Sequence, residues 1–196
     1  MVTTTPRPRG AARRDALLDA VLEVVAEVGV DAVTHRRVAE VAGLPLASTT
    51  YWFDSKEHLL TAALERAAER DIERLRAFLG EAPDPTADTL ATVVRAILGP
   101  IEESAQTCRG CLLATYALML EAARRPALRE VTTRWTHAYL SALSPLLAAA
   151  GAANPRSDAE LLLAAADGLL IEQLASDDVS DLAPRLRRLA DALVNA

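Results

Sequence analysis

In this chain of 196 residues, the side chains best suited to chemistry cluster between Thr34 and Lys56, and the chemistry they suit is the reading of a nucleic acid. Thr34, Arg36 and Arg37 open one short helical pattern. Pro45, Leu46, Ala47, Ser48, Thr49, Thr50, Tyr51 and Trp52 form a second, and Lys56 begins a third. Hydroxyls at 48–50 can bond bases or phosphates, while Leu46, Ala47 and threonine methyls can meet thymine methyls. Arg36 and Arg37 are expected on phosphates. Lys56 is expected there too, at a helix N-terminus where dipole and free N–H groups both favour an anion. The second pattern carries no Arg, Asn or Gln and so lacks the bidentate readers of guanine and adenine. Specificity should lean on apolar contacts, water and DNA shape. The plain alternative is a small buried helix with a Tyr-Trp-Phe packing cluster.

Other constellations point elsewhere or nowhere. Cys108-Arg109-Gly110-Cys111 is the only thiol feature. A CxxC can hold a metal or a reversible disulfide, but one pair without a second is a weak zinc signal, and ordinary helix-start packing is the expected role. His35, His58 and His137 are scattered. No Ser-His-Asp set, glycine-rich phosphate loop or zinc-protease spacing stands out, so no catalytic residue, metal or cofactor is expected. Asp167-Gly168 reads as a close-packing point. Tyr116, Met119, Trp135 and Tyr139 are larger than alanine-rich packing requires. Trp135 and Tyr139 lie four apart on one helix face, as do Leu112, Tyr116 and Leu120. Thr132, Thr136 and Ser141 could orient a ligand, and Glu121 or His137 could supply a charge. A mostly apolar cavity with a few polar groups suits a small hydrophobic, even aromatic, molecule; plain core is the alternative.

These side chains need helices to hold them. Thr34 is a good N-cap, Gly43 a stop that takes a left-handed conformation, and Pro45 a helix-start residue. Helix, tight glycine turn, short helix is the helix-turn-helix arrangement, with the second helix destined for a major groove. An earlier helix over about 10–28 has its apolar stripe at Leu18, Val21, Leu22, Val25 and Val28. Asp54 or Ser55 caps a long helix over 55–79. Residues 80–86 are turn-rich, Gly99-Pro100 should break or kink the next helix, and a further one should cover 108–124. Pro126 opens another that Pro145 kinks or ends. The stretch 158–175 is apolar nearly all round, and a last helix near 182–194 presents Leu186, Leu189 and Leu193. No strand pattern occurs, so the fold class is all-α, with about nine helices.

Composition sets bounds on function. The net charge of −6 is unlike a nucleic-acid binder, but its distribution tells more. Residues 1–14 carry four arginines and no acid, and the only lysine is Lys56. Residues 1–9 therefore read as a basic arm for DNA, or as a solvated tail. Asp15, Asp19, Glu23 and Glu27 recur every four residues, an acidic stripe that must face away from phosphates. No signal peptide or membrane-length apolar run appears, so a cytoplasmic protein with no membrane partner is expected.

At the motif residues the chain resembles the tetracycline-repressor (TetR) family of bacterial transcription regulators. The match runs through Gly29, Val33-Thr34, Arg36, Val38-Ala39, Ala42-Gly43-Leu44, Phe53, Ser55-Lys56 and Leu59. Where the family usually shows Tyr-x-His-Phe, this chain has Tyr51-Trp52-Phe53, so Thr50 takes the common tyrosine position. The resemblance implies a core role for Phe53. It also implies an arm (1–9), a DNA-binding head (10–54) and a ligand-binding, dimerising body (55–196) entered by a connecting helix (55–79). The partners implied are a double-stranded palindromic operator, a small hydrophobic effector and a second copy of the chain. The last two helices would pair with their copies through Leu163, Leu170, Leu174, Leu186, Leu189 and Leu193. A ligand-responsive repressor is the function expected. The competing class is a helical enzyme or interaction module with an incidental helix-turn-helix.

Overall fold

The computed structural model describes residues 9–81, 88–176 and 181–195. The expected basic arm lies outside them except for Arg9, and so does most of the turn-rich boundary after residue 80. Regular structure among the described residues is helical throughout. It comprises α1 (Arg9–Val28), a 3-10 turn (Val30–Ala32), α2 (His35–Val41), α3 (Leu46–Trp52), α4 (Lys56–Glu81), α5 (Thr89–Glu121), α6 (Pro126–Ala149), α7 (Pro155–Ser176) and α8 (Ala183–Val194).

The chain forms two compact units. The first holds residues up to Ala67 together with Cys108–Val131. Its core is built on the α1 stripe Leu17, Leu18, Val21, Leu22, Val24 and Val25, joined by Val38, Phe53, Leu59, Leu60 and Leu64. Val28, expected in that stripe, is 52% exposed at the last turn of the helix. Helix ends follow local chemistry. Thr34 Oγ1 accepts the Arg37 N–H at 3.1 Å, which satisfies one of the orphan donors at the start of α2. At its end Gly43 takes φ 63°, Leu44 N–H reaches Ala39 O at 2.9 Å and Gly43 N–H reaches Glu40 O at 3.1 Å. That pair of bonds reverses the chain within two residues and sets α3 across α2.

The second unit comprises Ala68–Thr107 and Thr132–Ala196, with Leu75, Val93, Ile97, Leu143, Leu147, Leu162 and Leu186 in its core. Of the break or kink expected at Gly99-Pro100, the break does not occur. Helix α5 runs through Pro100 and departs from helical geometry at Cys108 instead (φ −162°, ψ 89°). An interior proline costs roughly 3 kcal/mol, and burial of Val93, Val94, Ile97 and Leu98, at about 1.5–3 kcal/mol each, outweighs it. In the same way α6 passes Pro145 and ends only at Ala149.

Candidate nucleic-acid interface and body cavity

Seven residues make α3, and the two faces of that helix differ sharply. Leu46, Ala47, Thr50 and Tyr51 point outward; Leu46 is 50% and Tyr51 77% exposed. Their spacing puts them on one strip, as a groove-reading helix requires. Thr49 is the correction. It is wholly buried, its hydroxyl donating to Leu46 O at 2.8 Å and lying 3.5 Å from His35 O. It locks α3 onto α2 and cannot meet a base. Ser48 and Trp52 are half-buried, and Pro45 is exposed just ahead of the helix. Tyr51 stands edge-on to Trp52 at 5.0 Å, and a Cβ on Gly10 would lie 3.6 Å from the Trp52 ring, so α1 supports the end of α3. Phe53 is core, with the Arg14 guanidinium 5.8 Å above its ring.

Among the cations, Arg36 and Arg37 are exposed on α2 and make no ion pair among the described residues. Lys56 is half-buried, and its ammonium donates to Asp31 O at 2.8 Å. It ties the start of α4 to the 3-10 turn, a structural duty that the sequence did not suggest. Two members of the acidic stripe, Asp15 and Asp19, pair with Arg66 of α4. That engagement turns the stripe toward the connecting helix.

In the body, the four large side chains fall in different units. Tyr116, buried, and Met119, half-buried, belong to the first; Trp135 and Tyr139 belong to the second. Both polar atoms of the second pair converge on a residue that the sequence reading passed over. Trp135 Nε1 donates to Asp71 Oδ2 at 2.8 Å, and the Tyr139 hydroxyl donates to the same oxygen at 2.7 Å. A signal existed: Leu64, Ala68, Asp71 and Leu75 follow one helical stripe, so the acid sits at an apolar position. Glu121 is taken up by Arg124 and Arg125, and His137 by Ser141. Leu170 and Leu186, assigned to a dimer surface, are buried within the protomer because they face its own core.

Burial pushes the Asp71 carboxyl above its usual range, against the hydrogen bonds of Tyr139 and Trp135 and the charge of Arg74, which pull it down. A carboxyl that is easier to protonate folded than unfolded makes the native state bind more protons. Its contribution to stability therefore falls as pH rises from the ordinary carboxylate value through the raised one, and is flat above. Asp71→Asn cannot ionise. Its denaturant midpoint is expected to gain on that of the unmutated protein through that window, the difference between the two then staying constant. A variant that loses ground to the unmutated protein as pH rises would reverse the assignment.

On an adjoining face of α4, Arg70, Glu73, Arg74 and Phe78 meet Pro100 and Glu103 of α5 around a cavity of about 600 Å³, within the range of small-molecule sites. Arg74 crosses it to Glu103 at 3.2 Å and Ser104 at 2.7 Å. The Arg95 guanidinium lies 4.9 Å over the Phe78 ring. The lining mixes charge with one aromatic, and is more polar than the sequence led us to expect.

Comparison with known proteins identifies both halves. The family described as bacterial regulatory proteins, tetR family, matches residues 17–63, and the tetracyclin repressor-like C-terminal domain matches 83–196. The HTH-type transcriptional regulator BetI of Rhizobium meliloti (strain 1021) is 29% identical over 165 residues, 82% of this chain and 77% of that protein. The HTH-type transcriptional repressor KstR of Mycolicibacterium smegmatis is 43% identical over 58 residues, 30% of this chain and 28% of its own length. Among solved structures, the multidrug binding protein EbrR complexed with ethidium has a TM-score of 0.70 and 30% identity, covering 92% of this chain and 98% of that one. EbrR is also solved with imidazole, proflavin and malachite green.

Proposed function

Since the chain belongs to the tetracycline-repressor family of bacterial regulatory proteins, we propose that it is a repressor that holds a palindromic operator as a homodimer in the cytoplasm and is released by a small aromatic molecule. The carrying observation is the outward strip Leu46, Ala47, Thr50 and Tyr51 beside the exposed Arg36 and Arg37. The strip reads bases and groove shape, and the arginines fix register on phosphates. A mobility shift against the DNA upstream of its own gene tests this. Specific retardation is expected, and binding no tighter than to unrelated duplex would defeat it.

The effector site in this reading is the cavity between α4 and α5. Phe78 offers an aromatic face, Glu73 and Glu103 carboxylates, and Arg74 a bridge that a ligand would have to displace. Support comes from the dye complexes of EbrR. Trp135 and Tyr139 act indirectly, by holding α4 through Asp71. Occupancy shifts α4, which runs on into the DNA-binding head, only as far as the ligand's preference between the two states allows. Malachite green, titrated without DNA, is the probe. Phe78→Ala is expected to need about three- to tenfold more dye for half-saturation, the worth of one aromatic contact, with operator affinity unchanged. Equal saturation of both proteins would place the site elsewhere.

The dimer surface in this reading lies on α7. Leu161, Ala164, Gly168, Ile171 and Ala175 are all exposed, spaced three and four apart as in the seam of paired helices. Leu163 and Leu174 of the same helix, and Leu189 and Leu193 of α8, are half-buried.

A further inference from the structure

Cys108 and Cys111 are joined by a disulfide, where the sequence pattern suggested ordinary helix-start packing. The bond sits at the point where α5 leaves helical geometry and then restarts. Cys108 caps the new start: Cys111 N–H donates to Cys108 Sγ at 3.1 Å, as it would to an oxygen at an N-cap. Both cysteines are half-buried and Arg109 between them is exposed, so a small thiol reagent reaches the bond from solvent. The turn also touches the DNA-binding head. A Cβ on Gly110 would lie 3.4 Å from Cβ of Ala26 in α1, and α1 packs on α2 and α3, which carry Arg36, Arg37 and the outward strip.

We infer that Cys108–Cys111 is a reversible redox latch on the head, closed by a low-molecular-weight disulfide and opened by a dithiol, with the closed form binding the operator more tightly. The inference rests on the operator-binding reading above. Closing begins when the Cys108 thiolate, held by the Cys111 N–H, attacks one sulfur of the oxidant and expels the other as a thiolate. The Cys111 thiolate then attacks Cys108 Sγ and expels the second thiolate. The protein gives up two electrons and two protons, and the oxidant leaves as two thiols. A dithiol reverses both exchanges and departs as its cyclic disulfide. In a reducing compartment such a bond forms only transiently, which suits a sensor. The affinity order follows from entropy: opening frees the backbone of the turn that packs on α1, and DNA binding must then order it again.

The test uses the full chain equilibrated with oxidised glutathione or with dithiothreitol. Thiol titration should find none and two per chain respectively, the sequence holding two cysteines. The oxidised protein should bind the operator at least about fivefold more tightly, the lower end of ordinary allosteric coupling. Amides of residues 22–28 should exchange faster after reduction, a reading that needs no DNA. A Cys108→Ser/Cys111→Ser double variant should show neither response. Two thiols under both conditions, or full conversion with unchanged exchange and affinity, or a double variant that still responds, would overturn the latch. Failure to bind any DNA would defeat the operator reading instead, while the exchange measurement would still decide the latch.

Discussion

Raising monovalent salt from about 50 to about 200 mM is expected to weaken operator binding roughly a thousandfold. Arg13, Arg36 and Arg37 are exposed in the head, and none makes an ion pair among the described residues. Two heads on a palindrome therefore neutralise about six phosphates, each adding about −0.9 to the slope of log affinity against log salt; a fourfold rise in salt over that slope gives the factor. Arg36→Ala removes one contact per head. It should flatten the slope by about two and weaken every sequence alike, whereas Thr50→Ala should re-order preferences among operators if, as proposed, the outward strip is what meets bases. A plot of log affinity against log salt for the three proteins decides it. A shallow slope in the unmutated protein, or an Arg36 variant with the same slope, would remove these arginines from the interface. Lys56→Ala should act differently from what its position in the motif suggests: its ammonium is already on Asp31 O, so stability should fall along with affinity.

What could be read from the sequence was set by local chemistry, and what could not depended on neighbours. The cap at Thr34, the left-handed Gly43, the helix opened by Pro126 and the all-α class follow from residues within one turn of the feature. Thr49 shows the limit. In a seven-residue helix the hydroxyl run 48–50 offers no apolar stripe to fix its rotation, so the inward member emerged only from contact with α2. Pro100 shows the opposite limit, since the break that a local breaker invites is overruled by the burial of Val93, Val94, Ile97 and Leu98. Asp71 was hidden in a charged run that otherwise faces water, although its place in the stripe Leu64, Ala68, Leu75 marked it as inward. The α7 helix is apolar nearly all round, and such a helix gives no clue to which face meets its own protomer. That is why the sequence pattern alone puts Leu170 at a dimer surface, although its side chain is buried in its own protomer.

The outward face of α7 then carries the second large effect. Glutamates at its two large exposed apolar positions, Leu161→Glu with Ile171→Glu, should convert the dimer to monomers and lower operator affinity by about 10²–10⁴-fold, the gain lost when two half-site contacts are no longer linked. Both side chains point out of the protomer, at 51% and 46% exposure, so the double variant should keep its helix content and its denaturant midpoint. Ala164 and Gly168 between them are small enough for two helices to approach closely, and a charged pair buried in such a seam would cost several kcal/mol per uncompensated group. Leu170→Glu is the control. Its side chain faces the protomer's own core, so it should unfold the chain and not merely divide it. Sedimentation, circular dichroism and a mobility shift on the three proteins separate the cases. A double variant that remains dimeric would move the interface off α7, and a folded monomer that still holds the operator at full affinity would mean that the two heads do not act as a linked pair.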